Sequence, residues 1–466
     1  MTHTPSTETI FALATPPGRS GVAVIRVSGP QALLGLTKLT RDMPQIPPRY
    51  ACFTSLHHPE TNTLIDQGVV IYFQAPNSFT GEEVVEYQLH GSPAVIQELF
   101  AFLGHLPNHR PADRGEFTRR AYENGNLDLT EAEAVADLID AETSAQKDQA
   151  LAQLSGSLRN LYEGWAEKLT RCLAFLEADL DFPDEDLPEG VSTRIRPEIA
   201  EIMTGVQNHL HDNRRGERLR DGIKIAVIGA PNAGKSSLVN ALAQREVAII
   251  SDLAGTTRDV LEVHLDLGGY PVILSDTAGL KPELLAESGG EQERGQGKNQ
   301  SAHDRIESEG IRRALTVAKN ADLKLLVFEA GTPPDNATLS LKDDKSLLVF
   351  NKIDRVAPEE WETIQAEEGI GISVTHNLQI DHLLARLTDR ITALLGRNDA
   401  PALTRERHRR QLQECVACLE KALTAPLPEL MAEDVRLAVR ALGKITGRVD
   451  VEDLLDIIFS EFCIGK

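Results

Sequence analysis

Gly229-Ala230-Pro231-Asn232-Ala233-Gly234-Lys235-Ser236, followed by Ser237, fits the pattern G-x-x-x-x-G-K-[ST]. The apolar run from Ile223 to Ile228 reads as a buried strand, and Leu238, Val239, Leu242 and Ala243 fall on one face of a short helix. Strand, glycine loop and helix together present backbone N–H groups and a helix N-terminus to a phosphate. In that arrangement Lys235 reaches the β and γ phosphates and the Ser236 hydroxyl ligates Mg²⁺, while Asn232, Ala233, Gly234 and Ser237 complete the loop. A glycine-rich turn with no ligand can fit the same eight positions, so the downstream chain has to decide.

Three further elements follow in the order such a domain needs. Gly255-Thr256-Thr257-Arg258-Asp259, preceded by Ser251-Asp252-Leu253-Ala254, lies between the loop's helix and the next strand, where a switch segment supplies a Mg²⁺-ligating threonine. Asp276-Thr277-Ala278-Gly279 directly follows a strand; its aspartate can hold Mg²⁺ through water, and the Gly279 N–H can sense the γ-phosphate. Asn351-Lys352-Ile353-Asp354 follows the apolar run Leu347–Phe350; beyond these three, Ser373-Val374, followed by Thr375, stands where Ser-Ala is usual on the final base-recognition strand, a mild departure because that contact comes largely from backbone. The Asp354 carboxylate can accept from both guanine N–H donors, a pair that adenine lacks. Together these specify a GTP-binding domain. The residue after the Asp-x-x-Gly motif is Leu280, where Ras-like proteins use a water-positioning glutamine. Leu280 cannot hydrogen-bond to water, so hydrolysis needs a carboxylate or amide from elsewhere and added positive charge, which a monovalent cation could supply.

The chain is long enough for about three domains at 466 residues, and its 41% hydrophobic and 25% charged content is that of a soluble globular protein. No apolar run approaches a membrane span, and the N-terminus lacks a basic segment followed by an apolar core, which reads as cytoplasmic with no membrane partner. Cys52, Cys172, Cys415, Cys418 and Cys463 are scattered and odd in number, as reduced thiols are. The net charge of −22 argues against nucleic-acid binding by bulk charge. Local clusters run against it, namely Arg110, Arg114, Arg119 and Arg120; Arg214, Arg215, Arg218 and Arg220; and Arg405, Arg407, His408, Arg409 and Arg410. Each reads first as a solvated helix face.

Residues 1–118 read as an α+β unit with strands over Thr9–Ala14, Gly21–Val27, Gly68–Phe73 and Val84–Leu89 and a helix over Ala94–Leu103. From 119 to 218 the period is helical, with a single apolar stripe of about eight turns from Leu151 to Leu180 and a second helix through Ile199, Ile202, Val206 and Leu210. Residues 219–381 alternate strands and helices as a doubly wound parallel sheet does, and 382–466 return to helix. The fold class is therefore multidomain α/β plus all-α, with a Ras-like P-loop domain inserted into a discontinuous helical domain. Lys281–Arg305, rich in Gly, Glu and Gln, reads as a mobile loop.

Several stretches resemble the MnmE (TrmE) family of tRNA-modifying GTPases over essentially the whole chain. They are Ala14-Thr15-Pro16-Pro17-Gly18-Arg19, Asn77-Ser78-Phe79-Thr80-Gly81-Glu82, Gly115-Glu116-Phe117, Leu127-Asp128-Leu129, Asp137-Leu138-Ile139-Asp140-Ala141, Asp181-Phe182-Pro183 and Phe462-Cys463-Ile464-Gly465-Lys466. The resemblance implies G domains that dimerise around K⁺, ligated by Asn232, Ser251, Leu253 and Thr256, with Thr257 joining Ser236 on Mg²⁺. It implies Glu307 as the water-orienting residue, with Glu309 a rival. It also implies an N-terminal domain that binds a formyl- or methylene-tetrahydrofolate through Arg26, Glu86, Asn126 and Lys466, where Asn126 replaces a usual lysine. Cys463 is implied as a functional thiol. A homodimer would join the FAD-dependent partner MnmG in a heterotetramer and modify the wobble uridine of tRNA. The alternative is a ribosome-assembly GTPase switch, which would need neither the folate-type domain nor Cys463.

Overall fold

The computed structural model describes residues 7–40, 46–181, 191–245, 247–248, 262–276, 315–357, 369–396, 400–449, 451–460 and 462–465. The chain divides into two compact units, Met1–Ile139 with Leu151–Gln207 and Arg407–Lys466, and Asp140–Ala150 with Asn208–Glu406.

In the first unit, β1 (Thr9–Leu13), β2 (Ser20–Ser28), β3 (Cys52–His57), β4 (Leu64–Phe73), β5 (Val84–Gly91) and β6 (His109–Pro111) form one sheet in the order β3-β4-β5-β2-β1-β6. Alternating β-branched and polar residues give β2 and β5 one buried face. That face carries Ile25, Val27, Val85 and Tyr87, covered by α1 (Ala32–Leu39) and α2 (Pro93–Gly104) through Leu36, Leu39, Leu99 and Leu103. Then follow α3 (Glu116–Glu123), α4 (Leu129–Ile139), α6 (Ser157–Asp181) and α7 (Val191–Leu210), with the later helices Glu406–Thr424, Pro428–Thr446 and Glu452–Ser460. The expected eight-turn stripe is broken. A helix α5 (Ser144–Leu154) stops at Ser155-Gly156, where Gly156 has φ +83°, and α6 begins after it. Leu151, at the head of that stripe, is exposed, whereas Leu158, Leu169, Cys172 and Leu176 are buried.

The second unit holds α8 (Arg215–Asp221), β7 (Ile223–Gly229), α9 (Lys235–Arg245), β8 (Val247–Ala248), β9 (Glu262–Leu267), β10 (Tyr270–Asp276), β11 (Leu323–Glu329), β12 (Ser346–Asn351) and β13 (Ile370–Ile372). Its sheet runs β13-β12-β11-β7-β10-β9-β8. Strands β10, β7, β11, β12 and β13 are parallel, and β9 and β8 add an antiparallel edge that the sequence reading lacks. The central strands are apolar apart from Lys224 in β7 and Lys324 and Glu329 near the ends of β11, because both faces are covered along their middles.

The helix Ile380–Leu395 corrects one boundary. Its stripe of Ile380, Leu383, Leu387, Ile391 and Leu395 joins the core of this sheet. The return to the first unit therefore falls at 406/407, not at 381/382. No described helix is long and apolar enough to cross a membrane.

Candidate functional site

Strand β7 ends at Gly229, where a Cβ would lie 2.2 Å from the Val327 carbonyl, so only glycine lets the chain turn out of the sheet there. The loop then places Asn232 (φ +68°) and Gly234 (φ +93°) in the left-handed region before α9 begins at Lys235. A Cβ on Gly234 would come within 2.2 Å of Asn351 Nδ2. That amide donates to the Ala233 carbonyl at 3.0 Å, and its Oδ1 accepts from the Lys352 and Val374 N–H groups at 2.8 and 3.3 Å. One buried asparagine thus ties the glycine loop, the strand end after β12 and the loop after β13 into one structure.

Lys235 is buried and donates to the carbonyls of Gly229 and Ala230, each at 3.0 Å. Burial holds its pKa below the ordinary lysine value, against the opposing pull of Asp276 and Asp335. A phosphate would supply the anion this desolvated ammonium lacks. At the head of α9, Ser236 Oγ donates to Asp276 Oδ2 at 2.5 Å, while Asp276 Oδ1 is buried and has no hydrogen-bond partner among the described residues. A hydroxyl beside a carboxylate with an unused buried oxygen is an all-oxygen donor set, which fits Mg²⁺.

Asp354, Val374 and Thr375 line the same site, with Ser373 beside Asp354. The Ser373 hydroxyl is the largest influence keeping the Asp354 carboxyl below its usual range, with His376 and Arg355 adding to it. Lys352 (φ +68°) donates to Glu329 at 2.7 Å, a contact that follows from register, because Glu329 faces Asn351 across β11 and β12. Asn232, Gly234, Lys235, Ser236, Ser237, Asn351, Lys352, Asp354, Val374 and Thr375 all line one cavity of about 350 Å³. Arg355 lines it as well, and His376 Nε2 stands 3.7 Å from Asp354 Oδ2; sequence reading singled out neither, nor Glu329. Ala233 packs beneath the loop in the core.

Ser251, Asp252, Leu253, Ala254, Gly255, Thr256, Thr257, Thr277, Ala278, Gly279, Leu280, Glu307, Glu309, Lys466 and the loop Lys281–Arg305 lie outside the described residues.

In the first unit Arg26 and Glu86 are register partners on β2 and β5, and the guanidinium Nη2 lies 2.9 Å from Glu86 Oε1. Arg26 also sits 5.7 Å from the ring centroids of Phe79 and Phe117. Asn126 donates to the carbonyls of Ser78 and Phe79 at 3.0 and 3.1 Å, so its amide holds the turn that carries Phe79. The C-terminal stretch closes against the same region. The Gly115 N–H donates to the Cys463 carbonyl at 3.4 Å, and Gly465 packs against the end of β1, where a Cβ would meet the Leu13 carbonyl at 2.2 Å. Cys463 itself is exposed.

Two family models together match nearly the whole chain. A model of the MnmE helical domain matches residues 129–463, and one of the GTP-binding protein TrmE N-terminus matches residues 9–126. The tRNA modification GTPase MnmE of Parvibaculum lavamentivorans is 49% identical over 464 residues, 98% of this chain and 100% of that one. Its counterpart in Rhodospirillum rubrum is 48% identical over 473 residues, covering 98% and 99%. Among solved structures, the G domain of the T. maritima FeoB iron transporter is 23% identical, covers 37% of this chain and 99% of that one, and has a TM-score of 0.25, at which the likeness carries no argument.

Proposed function

Since this chain belongs to the MnmE (TrmE) family of tRNA modification GTPases, we propose that it is a K⁺-dependent member that works with MnmG on the wobble uridine of tRNA. That it is a GTP hydrolase of tRNA modification follows from the family itself. The nucleotide site of this reading is supported above all by one observation: Lys235, Ser236, whose hydroxyl donates to Asp276, and Asp354 line one cavity.

In this reading Lys235 exchanges its two carbonyl contacts for the β and γ phosphates of GTP. Ser236 and Thr257 hold Mg²⁺, which when bound neutralises phosphate charge. Asp354 takes the guanine N–H pair, while Val374 and Thr375 line the base. Asn232 projects from its left-handed loop position and, with Ser251, Leu253 and Thr256, holds K⁺ in place of an arginine finger. Glu307, or its rival Glu309, orients the attacking water that Leu280 cannot. Hydrolysis shifts the population between closed and open arrangements of two G domains in a homodimer, rather than driving the carbon chemistry. In the first unit Arg26, Glu86, Asn126 and Lys466 hold a formyl- or methylene-tetrahydrofolate as the one-carbon donor, with Cys463 as the reacting thiol. MnmG, carrying FAD, completes a heterotetramer.

Steady-state GTP hydrolysis in K⁺ against Na⁺ at equal ionic strength tests this. We expect K⁺ to raise kcat by about tenfold or more, and Glu307→Ala to remove that gain with GTP affinity little changed. Equal rates in the two salts would overturn the cation mechanism.

A further inference from the structure

A second cavity, of about 380 Å³, lies within the first unit and shares no residue with the GTP site or with Arg26, Glu86, Asn126 and Cys463. Part of its wall is apolar, from Leu127, Val449, Val451 and Leu455. Asp128, which caps α4, also lines it. Its Oδ1 accepts from Thr130 Oγ1 at 2.8 Å and the Glu131 N–H at 2.7 Å, and Glu131 Oε2 accepts the Asp128 N–H in return. Its Oδ2 is buried and has no hydrogen-bond partner among the described residues. Burial pushes this carboxyl up to about 6. An unmatched buried acceptor is costly, and the cap alone does not require it.

Two guanidiniums stand at the exposed side of the same cavity. Glu163 holds both, with Arg448 Nη2 at 2.6 Å and Arg159 Nε at 3.5 Å from its Oε1, and Arg159 Nη1 also reaches Glu131 at 3.2 Å. A guanidinium carries five N–H donors, so each arginine keeps donors beyond these contacts. Their side chains remain 39% and 58% exposed, Arg159 and Arg448 respectively. Glu123 lines it too, so the cavity offers an apolar wall for a ring, the Asp128 carboxyl within its lining, and two carboxylate-paired guanidiniums with exposed side chains.

We propose that this cavity seats one nucleotide of the tRNA. The base lies against the apolar wall, a ring N–H or the ribose 2′-OH donates to Asp128 Oδ2, and the backbone phosphate takes the remaining N–H groups of Arg159 and Arg448. This rests on tRNA being the macromolecule the family acts on. A lone phosphate would not use the apolar wall, and an acyl chain would not use Asp128. The exposed arginines suit a strand that continues past the cavity.

The test is binding of labelled bulk tRNA by the full chain across a KCl series, with fold monitored by circular dichroism. Arg448→Ala should lower affinity about tenfold near 0.1 M salt and reduce the slope of log K against log salt by measurably less than one, because Glu163 already neutralises part of the Arg448 charge. Asp128→Asn keeps a good helix cap and should weaken binding about threefold with the slope unchanged. Arg436→Ala, on the same helix as Ile445 but paired with Glu177 and Glu433 away from the cavity, should bind as wild type does. Wild-type affinity and slope in both Arg448→Ala and Asp128→Asn would overturn the seat. So would binding of free adenosine monophosphate that Arg448→Ala abolishes while tRNA affinity stays unchanged. If the wild-type chain binds no tRNA at all, the premise about tRNA fails together with the seat.

Discussion

Asp128 shows how one position can serve structure and still leave chemistry unused. Its Oδ1 is fully employed in capping α4, and a neutral asparagine could do that work equally well. The ionised form is what the fold resists, because burial lifts the carboxyl from 3.8 to about 6, with the hydrogen bonds from Glu131 and Thr130 opposing. A folded pKa above the unfolded one means the group's contribution to stability is fully present below the unfolded value and is lost as pH rises through about 6. Two units correspond to about 3 kcal/mol at most. Asp128→Asn should therefore match wild type near pH 4 and exceed it by about 1–3 kcal/mol near pH 8, measured by urea unfolding at both pH values. An equal effect at the two pH values would show that the carboxyl is not strained by burial. At Gly234 the constraint is steric instead. Its φ of +93° and the nearby Asn351 amide forbid a side chain, so the fold by itself requires the glycine at this position of the motif.

The helix Ile380–Leu395 marks how far sequence pattern reaches. A period of 3.6 shows that Leu383, Leu387 and Ile391 share a buried face, but not which core that face meets, and neighbouring helices made the helical domain the natural assignment. The structure packs the face into the GTP-binding sheet. Leu387→Ala should then cost about 2–5 kcal/mol and lower the urea midpoint at which a bound fluorescent GDP is released, whereas Arg386→Ala on the exposed face should shift it little. An unchanged release midpoint in Leu387→Ala would return the helix to the other unit. The same limit explains the other differences. Parallel strands β7, β11 and β12 were legible as unbroken apolar runs, while β9, Glu262–Leu267, alternates charged and apolar residues at a sheet edge and gave no such run. Gly156 sits inside an unbroken three-and-four spacing, and only its positive φ ends the helix. Around the proposed nucleotide site, the placement of Lys235, Ser236, Asp276 and Asn351 was legible because local motifs carry them. Glu329, Arg355 and His376 were not, because strand register and loop closure bring them in.

For the molecule as a whole the question is how a chain of net charge −22 meets a polyanion. The arginine clusters visible in the sequence are largely spent internally. Arg110 and Arg120 share Glu116, Arg120 also pairs with Glu82, and Arg119 lies between Glu123 and Asp456. Arg218 holds Asp322, and Arg407 holds the buried Glu133 together with His408. A guanidinium already neutralised by a carboxylate releases few counterions when a phosphate approaches, so most of these arginines lock helices rather than track a backbone. Affinity for tRNA must then come from a small number of local contacts and from base and ribose recognition. Each phosphate neutralised adds roughly 0.7–0.9 to the slope of log K against log salt. For this chain alone we expect a slope of magnitude below about 3 between roughly 0.05 and 0.3 M KCl, together with weak retention on heparin. A slope of about 6 or more would mean that the paired arginines exchange their carboxylates for phosphates on binding, and that the charge map of the free protein does not describe the complex.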